Sequence, residues 1–125
     1  MAEAGHTTAQ YNLAKCYEQG DGIDVDLSTA FKWYKRAAEA GDAFAQNSLG
    51  LCYKNGGGVA VDMHEANKWY TQAAKAGNAA AQYNLGVCYN DGDGVTADKR
   101  EAVKWLTLST KGGVTEAQDL LDKLI

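Results

Sequence analysis

The stretch Gly41 to Ala76, GDAFAQNSLGLCYKNGGGVAVDMHEANKWYTQAAKA, decides the fold, because variants of it fill the chain on both sides. Before it runs Gly5 to Ala40, GHTTAQYNLAKCYEQGDGIDVDLSTAFKWYKRAAEA, and after it Gly77 to Gly112, GNAAAQYNLGVCYNDGDGVTADKREAVKWLTLSTKG. A half copy, Gly113 to Ile125, GVTEAQDLLDKLI, closes the chain. Gly5, Gly41, Gly77 and Gly113 recur every 36 residues without a gap, a period in the range of solenoid repeats. Such a period speaks for a binding scaffold and leaves the bound species unnamed.

Each copy reads as helix, loop, helix. In the middle copy Gly41 ends the preceding helix and Asp42 is placed to cap the next one. Ala45, Leu49, Cys52 and Tyr53 then follow at three- and four-residue spacing on one helical face. Asn55-Gly56-Gly57-Gly58 stops that helix, since glycine adopts positive φ without strain. Asp62 with Glu65 reads as a capping box for the second helix, and Asp98 with Glu101 repeats it. In the first copy Asp26 keeps the cap, while Thr29 stands in place of the glutamate. Ala66, Trp69, Tyr70 and Ala73-Ala74 form the buried stripe of the second helix, small residues allowing close approach and rings filling the gaps. Gly50 and Gly86 inside the first helices imply backbone contact with a neighbouring helix. The spacing predicts helices over 6–19, 27–40, 42–55, 63–76, 78–91, 99–111 and 114–124, with no strand.

These patterns give one all-α repeat domain over residues 1–125. Its units are 5–40, 41–76 and 77–112, with a capping helix in 113–125 that closes the core. Ala2-Glu3-Ala4-Gly5 repeats the close of a unit, as in Ala38-Glu39-Ala40-Gly41. Residues 1–4 therefore read as the remnant of a preceding repeat, and the chain as part of a longer array. The third copy drifts after Trp105, where Leu106-Thr107-Leu108-Ser109-Thr110 replaces the tyrosine and the alanine pair, as terminal units of solenoids commonly do.

Composition narrows the function classes. A net charge of −4 disfavours general nucleic-acid binding. No apolar run approaches the roughly 18 residues of a membrane helix, so no membrane insertion is expected. Cys16, Cys52 and Cys88 hold the same place in each copy. Equivalent residues of stacked helices lie about 10 Å apart, beyond the roughly 7 Å Cα separation a disulfide allows. Three free, largely buried thiols are expected, and they suit a reducing, cytoplasmic setting.

The motifs Ala-Gln-x-x-Leu-Gly-x-x-Tyr, Gly-x-Gly-Val, the helix-capping Asp and Ala-x-Lys-Trp-Tyr-x-x-Ala-Ala together resemble Sel1-like repeats, relatives of the tetratricopeptide repeats. The resemblance covers residues 5–125. It implies a right-handed α/α superhelical solenoid whose first helices line a concave face, and it implies scaffold or adaptor work in protein complexes. Relatives in oxidising compartments often carry two cysteines per repeat; one per repeat weighs against that disulfide-stapled branch.

No chemistry-bearing motif competes with this reading. Gly20-Asp21-Gly22 and Gly92-Asp93-Gly94 follow helices, not strands, and lack the remainder of a phosphate loop. Asp21, Asp24 and Asp26, like Asp91, Asp93 and Asp98, miss the spacing of a calcium loop. His6 and His64 fall in different registers, without partners at ligand spacing. The cysteines lie on the apolar stripe with no histidine for nucleophilic work. Trp33, Trp69, Trp105, Tyr17, Tyr53 and Tyr89 take fixed helical positions and read as core. No cofactor and no catalysis are expected.

Binding should then fall to the outward, copy-variable side of the first helices. The candidates are Tyr11, Asn12 and Lys15; Phe44, Asn47, Ser48, Leu51 and Asn55; Tyr83, Asn84 and Val87. They make a partly apolar groove with amide hydrogen-bonders, suited to a peptide or a partner's helix. A carboxylate clamp on Asn12 and Asn84 would need several inward cations, and Lys15 is the main one. The rival readings are a small-molecule-binding or hydrolytic extracytoplasmic Sel1-like protein, and a structural spacer within a larger protein.

Overall fold

A computed structural model describes residues 4–125, with the side chains of residues 4 and 5 left aside. Of the expected remnant at residues 1–4, residues 1–3 lie outside the described residues. Among the described residues there are seven helices and no strand: α1 (Ala4–Gln19), α2 (Leu27–Glu39), α3 (Ala43–Asn55), α4 (Met63–Lys75), α5 (Ala79–Asp91), α6 (Lys99–Lys111) and α7 (Thr115–Leu124). Each helix packs mainly on its neighbours in the chain, which is the contact pattern of a solenoid.

The caps explain the helix starts. Asp42, Asp62, Asn78 and Asp98 accept from the backbone N–H of Ala45, Glu65, Ala81 and Glu101 respectively, at 2.8–3.2 Å. The expected capping boxes are made only in half. The N–H groups of Asp26, Asp62 and Asp98 already donate to the carbonyls of Tyr17, Tyr53 and Tyr89, each at 2.9 Å. No glutamate is needed to satisfy them, which is why Thr29 serves in the first copy. Its N–H donates to Asp26 Oδ1 at 3.1 Å and its hydroxyl to Oδ2 at 2.8 Å. These bonds hold the Asp26 carboxyl below its usual range.

The loop between paired helices opens on a left-handed glycine, Gly56 with φ 74° in the middle copy. The Cys52 carbonyl accepts from both Gly56 and Gly57. Gly58, also at positive φ, lies so close to the Leu27 carbonyl that a Cβ there would collide with it. The loop of one unit thus seats on the first turn of the second helix of the unit before, a join that serine or alanine at Gly58 would break.

The units are joined by the glutamine of the Ala-Gln pair. Gln46 Nε2 donates to Ala38 O at 3.2 Å, and Gln82 Nε2 to Ala74 O at 3.1 Å, both buried. Around these joins lie three apolar clusters. The first gathers Ala14, Ala30, Tyr34, Ala37, Ala45 and Leu49 with Trp69. The second gathers Ala66, Tyr70, Ala73, Ala81 and Leu85 with Trp105. The third gathers Ala102, Leu106, Ala117 and Leu121. Each later tryptophan therefore fills the cluster of the unit before its own.

Three expectations are refined. Gly50 does not serve a backbone approach alone: a Cβ there would lie 2.6 Å from Tyr70 Cε1 and 3.1 Å from Ala66 O. The glycine makes room for a ring. Cys52 and Cys88 are buried, but Cys16 is half-buried, because no helix among the described residues stacks on the outer side of α1. For the same reason Trp33 is half-buried while Trp69 and Trp105 are 8% and 7% exposed. The drift in the third copy is compensated locally. Leu106 is fully buried where a tyrosine stood, and Ser109 donates its hydroxyl to Ala79 O at 2.7 Å.

Candidate partner-binding groove

The variable residues of α1, α3 and α5 meet one another across the units. Tyr11 of α1 lies 6.1 Å, centroid to centroid, from Phe44 of α3 and 5.9 Å from Tyr34. Lys15 Nζ stands 5.5 Å above the Tyr11 ring. Phe44 itself is 65% exposed, the largest exposed aromatic surface among the described residues. Further along, Asn84 Nδ2 donates to Asn47 Oδ1 at 2.9 Å. That bond leaves the Asn47 amide NH₂ and the Asn84 carbonyl oxygen able to pair outward.

The remaining candidates divide. Asn12 and Asn55 are exposed; Ser48 and Val87 are half-buried. Leu51 is half-buried and packs against the second apolar cluster, and Tyr83 packs against the third. Those two are shared between surface and core. The structure brings Tyr11, Lys15 and Phe44 into one aromatic–cationic patch and Asn47 and Asn84 into one amide pair.

Side chains that could do covalent or acid–base chemistry are poorly set up for it. Burial pushes the Cys52 thiol up to about 12 and the Cys88 thiol up to about 11, so the thiolate nucleophile is scarce at neutral pH. His6 is bonded to Gln10 at 3.1 Å, and His64 is exposed. Among the described residues no group of three His, Cys, Asp or Glu side chains gathers as a metal site. Among the described residues no helix is long and apolar enough to cross a membrane.

The opposite face carries the cations. Arg36 stands 5.0 Å over Trp33, Lys68 5.4 Å over Trp69 and Lys104 4.7 Å over Trp105. Each tryptophan is sealed by its own unit's cation, whose stem covers ring surface that water would otherwise reach.

Sequence reasoning missed a pocket at the join of the first two units, lined in part by Glu18, Leu27, Leu51 and Asn55. The signal was available in the register: Glu18 is followed one and two units later by Lys54 and Asn90, the kind of variation that marks a position freed from stacking.

The profile of the Sel1 repeat family matches residues 7–42, 43–78 and 79–114. A protective antigen with an SLR fold from uropathogenic Escherichia coli superposes with a TM-score of 0.88 at 40% identity, over 93% of this chain and 25% of that one. The chain thus spans about a quarter of that antigen's length. A Sel1 repeat protein from Oxalobacter formigenes superposes with a TM-score of 0.87 at 37% identity, over 98% and 92% of the two chains. Cysteine-rich protein B of Helicobacter pylori shares the fold, with a TM-score of 0.78 at 22% identity over 94% and 90%. No curated relative matches the chain.

Proposed function

The chain belongs to the Sel1 repeat family, whose folds are generally non-catalytic scaffolds that commonly mediate protein–protein interaction, and from that premise we propose that it holds a peptide or helix of a protein partner in the groove of α1, α3 and α5. One observation carries this reading. Stacking positions such as Ala30, Ala66 and Ala102, or Trp33, Trp69 and Trp105, are filled alike in the three units, while the groove positions change: Tyr11, Asn47, Tyr83 at one register, Asn12, Ser48, Asn84 at the next, Lys15, Leu51, Val87 at a third. A solenoid can encode a partner only in side chains that stacking does not use. Phe44 at 65% exposure is the natural anchor, because exposed aromatics in a contact patch often carry a large share of binding energy.

The test begins with affinity capture from a lysate of the source cell and continues with the purified partner. Leu51 is unsuited as the main probe, since it packs on the second apolar cluster. Phe44→Asp and Val87→Asp are expected to weaken binding by about tenfold or more each, with helical signal and melting near those of the parent. Lys68→Asp, on the opposite face, should change affinity less than about twofold. Equal capture by parent and both groove variants places the interaction elsewhere.

A further inference from the structure

The join of the first two units carries a pocket of about 260 Å³, set between the ends of α1 and α3 and the first turn of α2. That volume lies below the ~300–1,000 Å³ of pockets that swallow a small molecule whole, and it suits one long side chain. Its walls are apolar, formed by Leu27, Ala30, Leu51 and the buried Cys52, with Asn55 and the carboxylate of Glu18 beside them. Glu18 Oε1 accepts from the Tyr34 hydroxyl at 2.8 Å, which fixes the carboxylate in place. Among the described residues the one ion pair joins Lys104 to Glu101 at 3.9 Å. Glu18 therefore has a second oxygen that no cation meets. The loop that leaves α1 carries Asp21, Asp24 and Asp26, all exposed, with the Lys32 charge acting on Asp26. The corresponding place one unit on is Lys54, so the carboxylate is not repeated at the next join.

We propose that this pocket is a specificity pocket for a positively charged side chain, arginine or lysine, of the bound polypeptide: the aliphatic stem lies against Leu27, Ala30 and Leu51, and the cationic head meets Glu18. The proposal rests on the groove reading, since Leu51 and Asn55 belong to both the pocket and the groove. An amphipathic side chain is the occupant that uses both halves of the site. Glu18 is exposed, so a purely apolar side chain would use the apolar walls alone and leave the second carboxylate oxygen to water, and an acidic one would be repelled.

The pocket can be tested without the partner. The full chain is titrated with Nα-acetyl-arginine methylamide and with the lysine analogue while backbone amide shifts are recorded. The neutral citrulline analogue, close to arginine in shape, is the control. Saturable shifts are expected at residues 18, 51 and 55–57 for the two cationic probes, and much smaller ones for citrulline. Glu18→Gln keeps an acceptor for Tyr34 and should fold as the parent does. It should weaken the cationic probes about two- to fivefold, as expected for a partly solvated ion pair, and reduce the salt dependence of their binding. Asn55→Lys, which places a cation beside the pocket, should abolish their binding, and it serves if Glu18→Gln does not fold. Equal binding of the citrulline probe, unchanged affinity in Glu18→Gln, or no saturable shift at these residues overturns the proposal. If the probes bind as expected while Phe44→Asp and Val87→Asp leave the partner's affinity unchanged, the groove reading fails and the pocket stands. If those variants lose the partner while Glu18→Gln binds the probes as the parent does, the pocket fails and the groove stands.

Discussion

At the scale of single residues the two buried tyrosines of the second helices make a natural contrast. Tyr34 and Tyr70 hold the same register, and both are essentially excluded from solvent at 1% and 0% exposure. Tyr34 donates to Glu18, but Tyr70 Oη has no partner, because Lys54 stands where an acceptor would be needed. A buried hydroxyl without a hydrogen bond costs free energy that a satisfied one does not. Tyr34→Phe is therefore expected to destabilise the protein by about 1 kcal/mol, the figure for a hydrogen bond to a partly solvated charge. Tyr70→Phe should be neutral or stabilising by up to about 1 kcal/mol. Urea melts of the two variants check the pair, and a larger loss for Tyr70→Phe would show that its hydroxyl is satisfied in solution.

At the scale of elements the fit between α3 and α4 turns on one glycine. Gly50 sits mid-helix, where alanine would normally gain about 0.5–1 kcal/mol. Here a Cβ would meet the Tyr70 ring at 2.6 Å and Ala66 O at 3.1 Å. Overpacking of that kind costs about 1–3 kcal/mol, so the packing loss outweighs the propensity gain. Gly50→Ala should lower stability by about 1–2 kcal/mol, read from the urea midpoint at unchanged slope. The first unit shows the alternative solution. Ala14 occupies the equivalent place, fully buried, beside a tyrosine whose hydroxyl reaches Glu18. Adding Lys54→Glu to Gly50→Ala, which recreates that set in the second unit, should recover part of the loss.

At the scale of the whole molecule, stability is a sum over units and their joins, not one shared core. The middle unit has a join on each side, made by Gln46 and Gln82. Helix α7 is 10 residues long, lacks a side-chain cap and packs chiefly on α6. Hydrogen exchange under native conditions should therefore be slowest in α3, α4 and α5. The amides of α7 should exchange at least about tenfold faster, through local opening. Uniform protection along the chain would mean that the array opens only as a whole.

Much of this was legible in the sequence, for a physical reason. A period of 36 residues repeats every local decision, so caps, turns and apolar stripes are each stated several times and confirm one another. Helix positions, left-handed glycines such as Gly56 and the buried alanine–leucine stripe followed from those local rules. What the sequence alone did not decide were contacts between units, because they join residues far apart in the chain. Trp69 and Trp105 fill the cluster before their own helix pair, the Gln46 and Gln82 amides bridge units, and Asn84 finds Asn47. Leu51 looked like plain groove surface, yet it also packs on the second cluster, because a helix at a join turns one side to each neighbour. For the pocket beside Glu18 the register gave only a hint, Lys54 and Asn90 following Glu18. The pocket exists only where the ends of α1 and α3 and the first turn of α2 converge, and only tertiary structure brings those three places together.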